Sequence, residues 1–172
     1  SNPIQPTYDK LMGNKTSKNL IIVANSTDTF YGADGNYSID PFINSSSSEG
    51  PTDDGRVKPD IAGMGTGLIS SYFITEDANT NDNYARSTGT SMSAPNVAGT
   101  LILLQELHYN THNSFLKNYE LKNLIIHTAY DPSTTSTGPD PIYGWGVLNA
   151  ESSAKMIIDK NSGEIIFDQL IL

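Results

Sequence analysis

The sequence predicts an α/β fold, and three observations carry that prediction. Short apolar, β-prone runs come early in the chain, helical periodicity comes late, and glycine- and proline-rich stretches separate the two. With 172 residues, 37 % of them hydrophobic, the chain is long enough to bury a core as one domain.

Taken in order, "KNLIIVANS" (18–26) is an apolar run between polar flanks and predicts a buried strand. Residues 27–56 are rich in Thr, Asp, Gly, Asn and Ser and predict turns with room for one edge strand. "VKPDIAGMGTGLISSY" (57–72) holds short apolar pieces on either side of glycines, and "TEDANTNDNYARST" (75–88) reads as a polar loop. From Ser91 to about His108, Val97, Leu101, Leu104 and Leu107 recur at helical spacing. The same period returns in residues 113–129 through Leu116, Leu121, Leu124 and Ile125. Residues 131–146 hold enough Pro and Gly to form a loop, 147–158 read as a third helix, and "SGEIIFDQLIL" at the end is β-rich.

Charge and composition narrow the function. A formal net charge of −9 repels phosphate backbones and anionic lipid, which argues against nucleic acid and membrane as partners. No run of eighteen apolar residues predicts a transmembrane helix. Zero cysteines rule out a disulfide framework, a thiolate zinc site and a cysteine nucleophile.

The stretch with the most chemistry in it is "TGTSMSAPNVAGT" (88–100), at the mouth of the first predicted helix. Backbone N–H groups there lack intrahelical partners, and the helix dipole adds partial positive charge. Ser91 therefore has two available roles. It can cap the helix, a contribution of about 1 kcal/mol. It can instead attack a carbonyl, with its own N–H helping to bind the oxyanion. Gly89 suits the second role by removing bulk where a substrate backbone approaches, and Pro95 suits an early turn where a missing N–H is harmless. The composition alone leaves both roles open.

"GTSMSAPNVAG" resembles the nucleophile motif of the subtilisin-like (subtilase) serine peptidases, and three further blocks follow that family's order. "KNLIIVANSTD" resembles the strand two blocks earlier, "SSEGPTDDGRVKPDI" the turn leading into a Lys-Pro-Asp strand start, and "YGWGVLNAESSAKMI" the closing turn and last helix. Together they span about Asn19 to Ile157. The resemblance implies part of a largely parallel sheet flanked by helices, an incomplete subtilisin-like fold. It implies that Ser91 is the nucleophile and supplies an oxyanion N–H, with Gly89 and Thr90 positioning the substrate. It implies a protein or peptide substrate, secretion, no organic cofactor and no catalytic metal, and it is compatible with structural calcium. Residues 1–158 then correspond to the C-terminal part of a catalytic domain, and 159–172 to the start of a connection to a downstream segment.

In the family pattern an Asp-Ser/Thr-Gly turn, a His-Gly-Thr helix start and an oxyanion Asn all precede the first block matched here. The implied Asp, His and Asn are expected in an N-terminal half of the catalytic domain that precedes this chain. The chain by itself is expected to be inactive, and its half-sheet to leave an exposed strand edge that favours dimerisation, strand swapping or marginal stability.

Substitutes within the chain fit poorly. His108 lies 17 residues beyond Ser91 on one helix, about 25 Å at 1.5 Å per residue, and His112 is farther still. His127 sits near a predicted helix end, where a histidine serves terminal carbonyls. Asp53-Asp54-Gly55 reads as an Asx-type turn, and Asn2 lacks the glycine expected before an oxyanion asparagine. Gly63-Met64-Gly65 replaces the family's Ala-Pro-Gly, exchanging a fixed φ for a flexible glycine. Asp77, Asn79, Asn81, Asp82 and Asn83 cluster oxygen ligands but lack the glycine and glutamate of a calcium-binding EF-hand loop, so a solvated loop is expected. The sequons at Asn14, Asn25, Asn36 and Asn44 are expected from the composition alone, and Tyr143 and Trp145 as a packed turn rather than a binding platform. A second reading keeps the fold without the chemistry: a subtilase-derived pseudoenzyme used as a binding module. "GTSMS" is not the Gly-x-Ser-x-Gly elbow of an unrelated esterase.

Overall fold

The computed structural model describes residues 10–28, 30–31, 37–72, 84–132 and 138–159. Its centre is a parallel pair, β1 (Val23–Ser26) and β4 (Ile61–Met64), in the register Val23 to Ile61 through Ser26 to Met64. A parallel bridge from Ala62 to Val147 widens this sheet by one position. Two antiparallel pairs accompany it: β2 (Phe30–Tyr31) with β3 (Tyr37–Ile39), and β5 (Leu68–Ser71) with β6 (Tyr84–Ser87). Three helices complete the described chain: α1 (Thr90–His112), α2 (Asn118–His127) and α3 (Ala150–Asp159). The result is a mixed α/β architecture in which a parallel sheet is flanked by helices, as the sequence predicts.

The sheet's two faces feed two apolar clusters. Ile61 packs with Val97 and Leu104 of α1, Leu121, Leu124 and Ile125 of α2, and Ile157 of α3. On the alternate residues, Ala24 and Ala62 meet Tyr143 and Val147. This is the period-two division of a strand pair covered on both faces. Along α1 the buried side chains are Ser93, Val97, Leu104 and His108, a stripe at spacings of four, seven and four residues.

An ionic knot ties α2 to the sheet. The Asp60 carboxylate accepts from Lys58 Nζ at 2.5 Å and, on its other oxygen, from Lys122 Nζ of α2 at 2.7 Å. Asp60 also accepts from the Ile22 N–H at 2.7 Å, and Lys58 donates to Leu20 O at 3.1 Å. Lys58 and Asp60 are both buried. Burial draws the Lys58 ammonium below its usual pKa, while Asp60 opposes that shift.

Several elements differ from expectation. Tyr84–Ser87, read as polar loop, is strand β6, exposed on one side and half-buried on the other. Helix α1 starts one residue earlier and runs four residues longer than predicted. Asn113, in the left-handed conformation at φ 54°, then ends it. Helix α2 begins at Asn118 rather than near 113, because Gln105 holds the intervening segment by exchanging two 2.9 Å hydrogen bonds with the Leu116 backbone. The β-rich tail from 162 and the Asp77–Asn83 cluster lie outside the described residues.

Candidate active site

Ser91 is the second residue of α1, and Gly89 occupies the N-cap position. Capping is therefore not the role of Ser91. Gly89 takes φ 157° and ψ 167°, a strand-to-helix corner in which it lacks a Cβ just where the helix begins. Its N–H donates to Gly65 O at 2.9 Å, and its carbonyl accepts from the N–H groups of Met92 and Ser93. The corner is thus fastened to the residue following β4 before the helix starts.

The Ser91 side chain is exposed, and no described residue hydrogen-bonds to it. With Thr90 and Ala94 it lines a cavity of about 270 Å³, to which Leu11, Ile21 and Val23 also contribute. Thr90 is exposed and Gly89 half-buried beside it. All three of Gly89, Thr90 and Ser91 are therefore gathered at one accessible corner.

Close approach explains the glycines under this corner. A Cβ on Gly65 would stand 2.6 Å from Asn25 Oδ1 and 2.7 Å from both Gly89 O and Ser93 Cβ. A Cβ on Gly63 would stand 2.5 Å from Val97 Cγ2 and 3.0 Å from Ser93 Oγ. Neither glycine has a positive φ. Space, not the flexibility expected from the sequence, is what Gly63 and Gly65 supply. Pro95 falls in an early turn, the second, as expected, but there its missing N–H is not harmless. It is the sixth helical residue, beyond the first turn, so it has no N–H to return to the Ser91 carbonyl.

Ser93 is the residue that sequence reasoning missed. It is fully buried, and its Oγ lies 2.6 Å from Gly63 O and 2.8 Å from Ala24 O. The available signal was its four-residue spacing from Val97 on the apolar face of the helix.

The histidines lie elsewhere. His108 is buried near the far end of α1, its Nδ1 2.6 Å from Ser114 O. His112 Nε2 is 2.9 Å from Ile157 O, and His127 is exposed in the last turn of α2. None of them lines the cavity at Ser91. The turn at Asp53-Asp54-Gly55 is closed by Thr52 rather than by an aspartate, its carbonyl accepting from the Gly55 N–H at 2.8 Å and its Oγ1 from the Arg56 N–H at 3.1 Å. Asp54 accepts from Thr52 Oγ1 at 2.6 Å and Arg56 Nε at 2.8 Å, and hydrogen bonds from Arg56 and then Thr52 lower its carboxyl pKa to about 2. Tyr143 is buried and donates to Pro41 O at 3.2 Å, as a packed turn requires, whereas Trp145, although its backbone N–H donates to Asp60 O at 3.1 Å, is 44 % exposed and is not packed as expected. Among the described residues, no group of three or more His, Cys, Asp or Glu side chains gathers to hold a metal. Asn25, in one of the sequons, is fully buried.

Comparisons with known proteins agree on one family. The model of the Subtilase family matches residues 3–146. C5a peptidase of Streptococcus pyogenes is 50 % identical over 125 residues, covering 67 % of this chain and 10 % of that protein. Subtilisin-like protease SBT3.9 of Arabidopsis thaliana is 28 % identical over 168 residues, 88 % of this chain and 21 % of that protein. Subtilisin Savinase of Lederbergia lenta is 27 % identical over 151 residues, 87 % of this chain and 51 % of that protein. The chain thus spans from a tenth to about half the length of these relatives. In fold, it is similar to the CspB protease of Clostridium perfringens, with a TM-score of 0.68, 24 % identity and coverage of 91 % of this chain and 31 % of that one. The motif, the strand-to-helix corner that presents it and a family match over residues 3–146 converge: this chain belongs to the subtilase family of serine peptidases.

Proposed function

We propose that Ser91 is the nucleophile of a serine endopeptidase that cleaves peptide bonds through an acyl-enzyme. The observation that carries this reading is the exposed, unbonded Ser91 hydroxyl at the start of α1, beside a cavity of about 270 Å³. The Ser91 oxygen attacks the peptide carbonyl, and its proton passes to a histidine that an aspartate orients. The tetrahedral oxyanion lies against the Ser91 N–H, one of the free donors at the helix start, and against an asparagine. Gly89 and Thr90 shape the approach of the substrate backbone.

The histidine, aspartate and asparagine are assigned to an N-terminal half of the catalytic domain. Two observations support this. Among the described residues no histidine lines the cavity at Ser91, and the relatives are all longer than this chain. Residues 1–158 on this reading are the C-terminal part of the catalytic domain, and 159–172 begin a connection. Ser91 alone lacks a base, so the 172-residue chain hydrolyses no peptide. Secretion, protein or peptide substrates and independence from organic cofactors belong to the same reading.

The test is a fluorophosphonate probe applied to a version extended at its N-terminus across the whole catalytic domain, beside its Ser91→Ala variant. Labelling of the wild type alone is the expected result. Equal labelling of both removes Ser91 from the chemistry, and absence of labelling in both favours a non-catalytic binding module.

A further inference from the structure

We infer that Ser93 is a positioning residue for the reaction at Ser91, an inference that rests on the reading of Ser91 as the nucleophile. Ser93 lies one helical step past Met92, so its backbone moves with the turn that carries Ser91. Its Oγ sits between two main-chain carbonyls on neighbouring strands, Gly63 O of β4 at 2.6 Å and Ala24 O of β1 at 2.8 Å. A hydroxyl has one proton and can donate to only one of these oxygens at a time. Whichever it serves, the side chain stays in the same place, because the alternative acceptor is also within reach. Ser93 is fully buried, so water does not compete for it.

The second tie makes this a clamp. Gly89 N–H donates to Gly65 O at 2.9 Å, so the two residues flanking the Thr90–Met92 turn are fastened to Gly65 and Gly63 on the same stretch of chain. Ser91 lies between the two ties and is itself free of hydrogen bonds from described residues. Both ties need the backbones to approach closely, and a Cβ on Gly63 would stand 3.0 Å from Ser93 Oγ while one on Gly65 would stand 2.7 Å from Ser93 Cβ. The glycines and the serine form one device. The glycines admit the helix start to the sheet, and Ser93 fixes how far it comes and at what rotation.

Nucleophilic attack depends on that placement, because a displacement on the order of 1 Å at a reacting atom costs about 100-fold in rate. Releasing one tie lets the turn bearing Ser91 shift without removing any reacting group. On this account Ser93 acts through Ser91, and its loss lowers turnover rather than substrate affinity.

The experiment uses the N-terminally extended protein and compares wild type, Ser93→Ala, Ser93→Cys, Ser91→Ala and Ser153→Ala. Ser153 is the control for a buried serine elsewhere. It too is fully buried, its Oγ 2.6 Å from Thr128 Oγ1 and 2.9 Å from Asn149 O, but it lies in α3. The readings are the fluorophosphonate labelling rate, kcat and KM on a peptide substrate, and the thermal midpoint. Ser93→Ala is expected to slow labelling and lower kcat by roughly 10- to 100-fold with KM nearly unchanged. Ser153→Ala is expected to lower the midpoint comparably and leave both rates near wild type. Ser93→Cys restores the volume but donates weakly, and is expected to stay slow; it also serves if the alanine variant does not fold. Wild-type rates in Ser93→Ala, recovery in Ser93→Cys, or an equal loss in Ser153→Ala would each overturn the inference. Labelling of Ser91→Ala at the wild-type rate would instead overturn the nucleophile reading, and this inference with it.

Discussion

At the level of single residues, the corner that presents Ser91 is set by what is missing from its neighbours. Gly65 has no side chain, and the vacated space is taken by Gly89 O, Asn25 Oδ1 and Ser93 Cβ. Gly65→Ala must push the turn off the sheet, because its new carbon would meet backbone at 2.7 Å. The expected outcome is a loss of about 1–3 kcal/mol of stability, read by chemical denaturation of the extended protein, together with loss of probe labelling. Tyr130 offers a second test at this scale. Its hydroxyl donates to Asp40, and that bond, followed by burial, pushes its pKa up to about 12. A raised folded value means the phenol is held protonated by the fold. The resulting stability is complete below pH ~10 and is lost as pH rises through about 12. Ultraviolet titration should show a tyrosine phase near pH 12, and Tyr130→Phe should remove it.

At the level of elements, the ionic knot at Asp60 is the joint between α2 and the parallel pair. Asp60 accepts from Lys58, Lys122 and the Ile22 N–H, so Asp60→Asn leaves two ammonium groups without their carboxylate. Breaking a buried pair from one side costs about 3–5 kcal/mol, and denaturant unfolding of the Asp60→Asn variant should show a loss of that order. Lys122→Met, which removes only the half-buried partner, should lose much less. The elements that were legible in the sequence are those whose burial is strong and whose apolar residues are close together in the chain. β1 is entered from the contiguous apolar run Leu20–Ala24, and α1 repeats Val97, Leu101, Leu104 and Leu107. β6 was not legible because "YARS" has no apolar face to alternate with, and its partner β5 is mostly exposed as well. The start of α2 was displaced by a tertiary contact from Gln105 that no local pattern encodes. The site divides the same way. Gly89, Thr90 and Ser91 stand out as a contiguous motif, whereas the clamp through Ser93 depends on carbonyls 30 and 69 residues away.

At the level of the whole molecule, α1 carries one face into the core and leaves another uncovered. Ile102 and Leu103 are 69 % and 65 % exposed midway along it, and Phe115 just past its end is 66 % exposed. The adjacent pair Ile102 and Leu103 gives this face its apolar character, and an apolar patch marks a face that another surface covers. Prepared alone, the 172-residue chain should self-associate with rising concentration in sedimentation or light scattering, and Ile102→Lys should reduce that association. If the N-terminal half proposed above occupies that face, the N-terminally extended protein should remain monomeric over the same range. A monomeric, high-melting isolated chain would contradict this. The most direct test of the central claim is peptide mapping of the extended protein after inactivation by a fluorophosphonate. The account predicts a single adduct carried by the peptide containing Ser91, lost in Ser91→Ala; an adduct on any other residue of an inactivated enzyme would contradict it.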